Sequence, residues 1–390
     1  MTSLNRGRTI LVIMLAALVA LAVGACGSSS SSSSTSSTTP AATSSTAAAS
    51  TGTTATNTAA ATGSSSFPDY NKDAPPNFTP PTTQKTIDVL FPSNELPSQQ
   101  SALLGFEQAA KKYNVKLTVF NAGGFGNVTT QVSQLETAVG EHPDAIIVVP
   151  TSPVALNAGI AAATKKGILV TAALIPPSAP QVKFSLVDPL PVDGATAAVG
   201  LAKAIGGKGD IYGIFGGAGG APNTLFVQGA LAALKAYPNI KLVYRKDFVS
   251  FSPSDAQTAV ENGITAHPNV AGILTNDTGL AEGAYRALAS NGKSSVPVVG
   301  LGPSTSVDIG YLRQGKIALA DSPPFYAMGN LTLQWTLAIL GGAKPAQRLV
   351  PLQPTVITKD NIDQAISSGA LFQLLAPSTI GCGPGQSKQC

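Results

Sequence analysis

The chain has 390 residues, 44% of them hydrophobic, with 24 Lys and Arg against 20 Asp and Glu and a formal net charge of +4. Two of the basic residues, Arg6 and Arg8, stand at the extreme N-terminus and the others are dispersed, so the remainder is close to neutral and carries no basic face for nucleic acid. Three cysteines and two histidines without Cys-x-x-Cys or zinc spacing give no expected metal, and without Walker, G-x-S-x-G or H-E-x-x-H motifs no enzyme chemistry is expected.

In chain order, an apolar run from Ile10 to Val23 follows the two arginines. It is short for a membrane span and closes on small residues, so residues 1–25 read as a secretory signal. The "LAVGAC" block resembles a bacterial lipobox, which implies cleavage before Cys26 and acyl chains on its thiol. Several acyl chains, at about 0.8 kcal/mol per buried methylene, hold a protein on a bilayer far better than one. Residues 27–66 are almost entirely Ser, Thr, Ala and Gly, which cannot offset the entropy of being ordered. They form a tether with a root-mean-square span of roughly 35 Å. The proline-rich stretch 67–83 continues it in stiffer form, so 26–84 is expected as a linker. At the other end, in "CGPGQSKQC", an exported compartment permits a disulfide between Cys382 and Cys390.

The body, about 84 to 376, approaches the size at which one core gives way to two. "IDVLF" predicts a strand, and Leu103, Phe106, Ala110 and Tyr113 share one face of a helix. "VKLTVF" predicts the next strand, before a helix over about 127–140. "AIIVV" and "ILVTAA" follow, separated by a helix whose first turn accepts Pro153. Strands this apolar require a parallel sheet covered on both faces. The grammar restarts after 190, with strands "IYGIF", "IKLVY", "VAGIL", "VPVVGL" and "IALA" alternating with helices near 193–205, 222–236, 254–265 and 280–288 and one ending near Gln314.

Each half carries the same phrase, "EHPDAIIVVPTS" and "AHPNVAGILTND". His142 and His267 each stand before a proline where a helix stops and the third strand starts, an architectural place with no catalytic partner beside it. Beyond each strand lie "PTSP" and "TNDTG", at the carboxyl ends where open α/β sheets bind ligands. Two sheets presenting those loops to each other make a cleft with a polar group on each wall. The glycine-rich loops "NAGGFGN" and "FGGAGGAPN" miss the G-x-G-x-x-G spacing, so no dinucleotide or other cofactor is expected.

The ordered set "GFEQAAKKYNVKL", "DAIIVVPTSPVALNAGIAAATKKGILV", "VDPLPVDGATAA", "VQGALAALKAYPNIKLV", "AHPNVAGILTNDTGLAEGAYRAL" and "LRQGKIALA" resembles the type I periplasmic solute-binding proteins of ABC importers, the ribose and galactose type, over about residues 85–360. The resemblance implies an α/β fold of two Rossmann-like, flavodoxin-like lobes with parallel sheets, joined by a three-crossing hinge near 187–191, 321–324 and 351–354. The N-terminal lobe is then 85–188 with 323–351, the C-terminal lobe 192–321 with 352–376, and 377–390 a tail. It implies an extracytoplasmic monomer, held to the bilayer through Cys26, that hands a small molecule to an ABC permease; a membrane sensor kinase is the alternative partner.

Members that bind sugars end the strand "ILVTAALI" with an Asp-Arg pair, where this chain has Leu174 and Ile175. A family arginine is replaced by Thr224 or Phe226, an aspartate by Gly302 and a hinge glutamine by Pro323, while Asn276 matches the family asparagine. Sugar hydroxyls unpaired against such side chains would cost roughly 1–3 kcal/mol each. The expected guest is therefore less polar than a simple sugar, aromatic or alicyclic; a sugar held in an atypical site is the alternative. Phe91, Leu174, Phe226 and Phe325 are expected to hold it and Asn276 and Thr151 to orient it, with Asn94 and Asp277 completing the set. Core packing for the apolar four, and helix capping for Asn276 and Asp277, are the alternative services of those residues.

Overall fold

Strands that are apolar along their whole length form the middle of two six-stranded sheets, and those with alternating exposure form edges. The computed structural model describes residues 67–375; the signal segment, Cys26, the tether, Cys382 and Cys390 lie outside the described residues. In the first lobe β1 (Lys85–Phe91), α1 (Pro97–Lys112), β2 (Val115–Asn121), α2 (Val128–Glu141), β3 (Ala145–Val148), α3 (Asn157–Lys165), β4 (Leu169–Leu174) and β5 (Ser185–Val187) follow one another. The second lobe continues with α4 (Leu190–Ala204), β6 (Gly209–Phe215), α5 (Ala221–Leu234), β7 (Ile240–Asp247), α6 (Pro253–Ala266), β8 (Val270–Thr275), α7 (Thr278–Ser290), β9 (Val298–Leu301), α8 (Ser306–Arg313) and β10 (Leu319–Ser322).

The chain then returns to the first lobe as α9 (Phe325–Leu340), which packs on β3, β4 and α1, and as β11 (Leu349–Pro351). It crosses once more into β12 (Thr355–Ile357) and α10 (Ile362–Ser367). The closing helix α11 (Leu371–Leu374) lies against α9, so the C-terminal segment does not stay with the second lobe. The sheets run β11-β5-β4-β3-β1-β2, all parallel, and β12-β10-β9-β8-β6-β7, parallel except for the antiparallel β10–β12 pair. The two α/β lobes with parallel-dominant sheets are those implied above. Three crossings join them, at 188–189, 323–324 and 352–354, and the first and third are tied by the Leu352 N–H donating to the Val187 carbonyl at 3.0 Å.

Each lobe brings one helix pair into backbone contact through glycine. A Cβ on Gly329 of α9 would stand 2.0 Å from the Ala102 carbonyl of α1, and one on Gly194 of α4 would stand 1.9 Å from the Phe226 carbonyl of α5. These contacts fix the helices that leave the first two crossings against their own lobes.

Three details differ from the sequence reading. Residues 67–83 are packed, not a stiff linker: a single 3-10 turn over Tyr70–Asp73 buries Tyr70, whose hydroxyl donates to the Gln353 carbonyl at 2.6 Å. Trp335 of α9 donates to the Asp73 carbonyl at 2.8 Å, and Phe78 meets Tyr113 edge-on at 5.0 Å. The aromatic content of this stretch anchors it, where its prolines alone describe a spacer. Second, Pro153 lies in the turn before α3, whose first residue is Asn157. Third, His142 ends α2 at φ 56°, left-handed, although a following proline favours extended backbone; the reversal that closes the helix prevails there. His267 ends α6 at φ −140°.

Candidate functional site

The loops at the carboxyl ends of both sheets converge on one cleft of about 560 Å³. The first lobe lines it with Leu96, Ser98 and Gln99 at the start of α1, Phe125 from the loop after β2, and Leu174 at the end of β4. Leu174 has φ 69°, a conformation costly for a branched side chain and one concentrated at ligand sites. The second lobe contributes Asn223 and Phe226 of α5, Phe251 from the loop after β7, Asn276 and Asp277 after β8, and Leu301 of β9. Asp188 and Leu190 enter from the first crossing and Phe325 from the second. The lobes touch across the rim: the Phe125 and Phe251 rings stand 6.4 Å apart, and the Ala221 N–H donates to the Thr151 carbonyl at 3.4 Å.

Of the expected residues, Leu174, Phe226, Asn276, Asp277 and Phe325 line the cleft; Phe91, Asn94 and Thr151 do not. Phe91 is fully buried, edge-on to Phe106, and borders a smaller void behind the cleft that shares Gln99, Leu174 and Phe325 with it. Asn94 is exposed and its Oδ1 accepts from Asn121 at 2.7 Å. Thr151 is turned into its own lobe, where its N–H and hydroxyl both donate to Oε1 of Gln131, at 2.9 and 3.2 Å. A polar residue at a strand end can serve its own loop as readily as a ligand, and the sequence does not distinguish the two.

Asn276 clamps the neighbouring loop. Its Oδ1 accepts the Gly216 N–H at 2.8 Å and its Nδ2 donates to the Gly216 carbonyl at 3.0 Å. Gly216 has to be glycine here, because a Cβ would stand 2.5 Å from the Phe251 ring that lies over it. Asp277 caps α7, its Oδ1 accepting from Gly279 and Leu280. Burial, and secondarily Asp308, push its carboxyl up to about 7 against those two hydrogen bonds.

Sequence reasoning missed the cleft's acidic side. Asp188 lies at the first crossing, Asp193 in the first turn of α4 and Asp321 in β10 at the second crossing; all three are buried. Burial holds Asp188 and Asp321 well above the usual carboxylate range, with neighbouring carboxylates adding to it. Burial pushes Asp193 up to about 6, offset in part by its contact with Asp188. The available signal was an aspartate set in a mostly apolar stretch at each of the first two crossings, "LVDPL" and "ALADSPP". Phe125 and Phe251 were also missed, although each sits in a loop just beyond a strand, where such a reading should look.

Residues 87–344 match the family model described as periplasmic binding protein domain. The xylitol-binding protein of Mycolicibacterium smegmatis is 28% identical over 272 residues, covering 67% of this chain and 74% of that protein. The ribose import binding protein of Bacillus subtilis is 25% identical over 260 residues, covering 66% of this chain and 83% of its own length. Among solved structures, a carbohydrate transporter solute binding protein from Agrobacterium radiobacter in complex with D-arabinose superposes with a TM-score of 0.66 at 26% identity, covering 76% of this chain and all of that one.

Proposed function

The chain belongs to the periplasmic binding protein domain family, and from that premise we propose that it is the extracytoplasmic solute-binding component of an ABC importer. It captures a small molecule between its lobes and presents it to a membrane permease. The observation that carries this is the cleft itself, walled by loops of two separate sheets that three crossings connect. The apolar lining with a few convergent polar groups is the usual composition of a small-molecule site.

The named relatives bind xylitol, ribose and D-arabinose by their descriptions, so a guest of pentose or pentitol size is the starting point. This chain's guest is less polar than those. Phe125, Phe226, Phe251 and Phe325 occupy the walls, and the amide of Asn276 is committed to Gly216. The amide of Asn223 is likewise engaged by Asp247 and Asn276, so the guest lies between the rings with Gln99 and Asp188 left to orient it. Acylation of Cys26 holds a monomer at the membrane surface, a reading supported by "LAVGAC" and the serine run behind it. No helix among the described residues is long and apolar enough to cross a membrane.

Native mass spectrometry of the chain isolated from its own cells should show a co-purifying small molecule, and deletion of the gene should slow uptake of that compound alone. Unchanged uptake would remove the importer assignment. Micromolar binding of an unmodified pentose or hexose in a titration would remove the lower polarity.

A further inference from the structure

The cleft is bordered by more buried carboxyl groups than its own residues balance. Asp188, Asp193 and Asp321 are 6%, 0% and 0% exposed, and apart from the contact between the Asp188 and Asp193 carboxyls no donor reaches their oxygens. They converge where the first two crossings meet the cleft, and Asp188 lines it directly. The hydroxyls of Ser185 and Ser322, on strands β5 and β10 at the same two crossings, are likewise buried without partners. No Lys, Arg or His lines the cleft among the described residues, so nothing on its walls offsets the carboxylates. Buried acid groups without a counter-charge are costly, and in an empty cleft protons must fill that place.

Two further observations narrow what replaces those protons. Among the described residues no group of three or more His, Cys, Asp or Glu is disposed to hold a metal ion, so a bare cation has no cage. Four phenylalanine rings, Phe125, Phe226, Phe251 and Phe325, stand around the same space, and aromatic faces attract organic cations through the ring quadrupole. We propose that the guest is a small organic amine, protonated at neutral pH, whose ammonium group is received by Asp188 while its carbon skeleton lies between the rings. Asp193 and Asp321 act through Asp188, holding negative potential at the crossing without touching the guest.

This rests on the solute-binding reading of the cleft and amends the polarity given there: the skeleton stays between the rings and one charged group is added to it. A neutral polyol can donate a hydroxyl to Asp188 but brings no charge to the trio, so charge separates the two classes. The test uses matched pairs titrated calorimetrically into the full-length chain in detergent at neutral pH: xylitol with its terminal amino analogue, and cyclohexanol with cyclohexylamine. In each pair that binds, the amine should bind at least about tenfold more tightly, and Asp188→Asn should remove most of that ratio while circular dichroism reports a folded chain. Equal or tighter binding of a neutral member, or a ratio that survives Asp188→Asn, overturns the amine. Should that variant fail to fold, the ratios of the unaltered chain decide alone. Should no pair bind, the mass of the co-purifying guest decides: a compound with a basic nitrogen upholds the inference, and one without overturns it while leaving solute binding intact. A chain that leaves its cells empty and answers to no probe overturns both.

Discussion

The loops after β3 and after β8 occupy corresponding places in the two lobes, yet they are built to different ends. In the first lobe Thr151 turns inward to Gln131, and its carbonyl meets the opposite lobe. In the second lobe Asn276 reaches sideways to clamp Gly216, and Asp277 caps α7 at the cleft edge. Even the shared His-Pro is made with different backbones, left-handed at His142 and at φ −140° at His267. The duplication therefore preserves where a strand begins and a loop turns, and leaves the chemistry of that loop free to diverge. The second lobe gives the cleft Phe226 and Phe251 with Asn223 and Asn276 hydrogen-bonded to each other, while the first gives it Phe125, Leu174 and, from the first turn of α1, Ser98 and Gln99.

The sharpest contrast should come from the aromatic walls. Phe226 is buried between Phe215 and the cleft, so Phe226→Ala should cost about 4 kcal/mol in urea unfolding. Phe125 is half-buried and makes one ring contact, with Phe251, so Phe125→Ala should cost about 1 kcal/mol. Comparable losses would mean that the two walls are equally rigid.

Next in size is the response to acid. Asp277, Asp188, Asp193 and Asp321 all have carboxyls raised in the folded chain. The folded state then holds more protons than the unfolded one between an unfolded value of about 4 and folded values of about 6 and above. Their contribution is fully favourable below that window and is lost as pH rises through it. The unliganded chain should gain several degrees of melting temperature, roughly 3–6 °C, as pH falls from about 7 to about 5. Asp144, whose burial is outweighed by hydrogen bonds from Thr86 and by Lys85, is lowered and opposes this only at more acid pH. Asp277→Asn should flatten the curve, and a melting temperature that falls over this range would contradict the buried state of these groups.

Asn276→Ala leaves the buried Gly216 N–H and carbonyl without their partner and should cost about 2 kcal/mol of stability, with a matching loss of ligand affinity as the glycine loop loosens. Thr151→Val removes a single hydroxyl bond to Gln131 and should cost about 1 kcal/mol with affinity nearly unchanged. If the valine variant instead abolished binding, Thr151 would regain the orienting role that its side chain gives no sign of here.

The strands were legible because a parallel strand between helix layers must be apolar at every position, as "AIIV" is. The helix α9 was not: it is covered by the sheet, by α1 and by the turn at Tyr70, so Leu331, Leu333, Thr336 and Leu337 are all buried and no single face repeats. The strand β5 is three residues long and offers no period to read. Within the site, Leu174 and Phe226 were reached because a departure from a family pattern marks a position, while Asp188 was missed because its meaning depends on which groups the crossings bring beside it. Phe125 and Phe251 meet only when the lobes are side by side, a relation no local pattern encodes.

The N-terminal turn has a mechanical corollary. Tyr70 grips Gln353 and approaches Thr355 at 3.2 Å, within and just beyond the third crossing, while Trp335 and Tyr113 hold the same segment to the first lobe, so the chain entering at residue 67 is moored to one jaw and to its pivot. A pull along it is borne by the first jaw and the axle, and the second jaw keeps its swing.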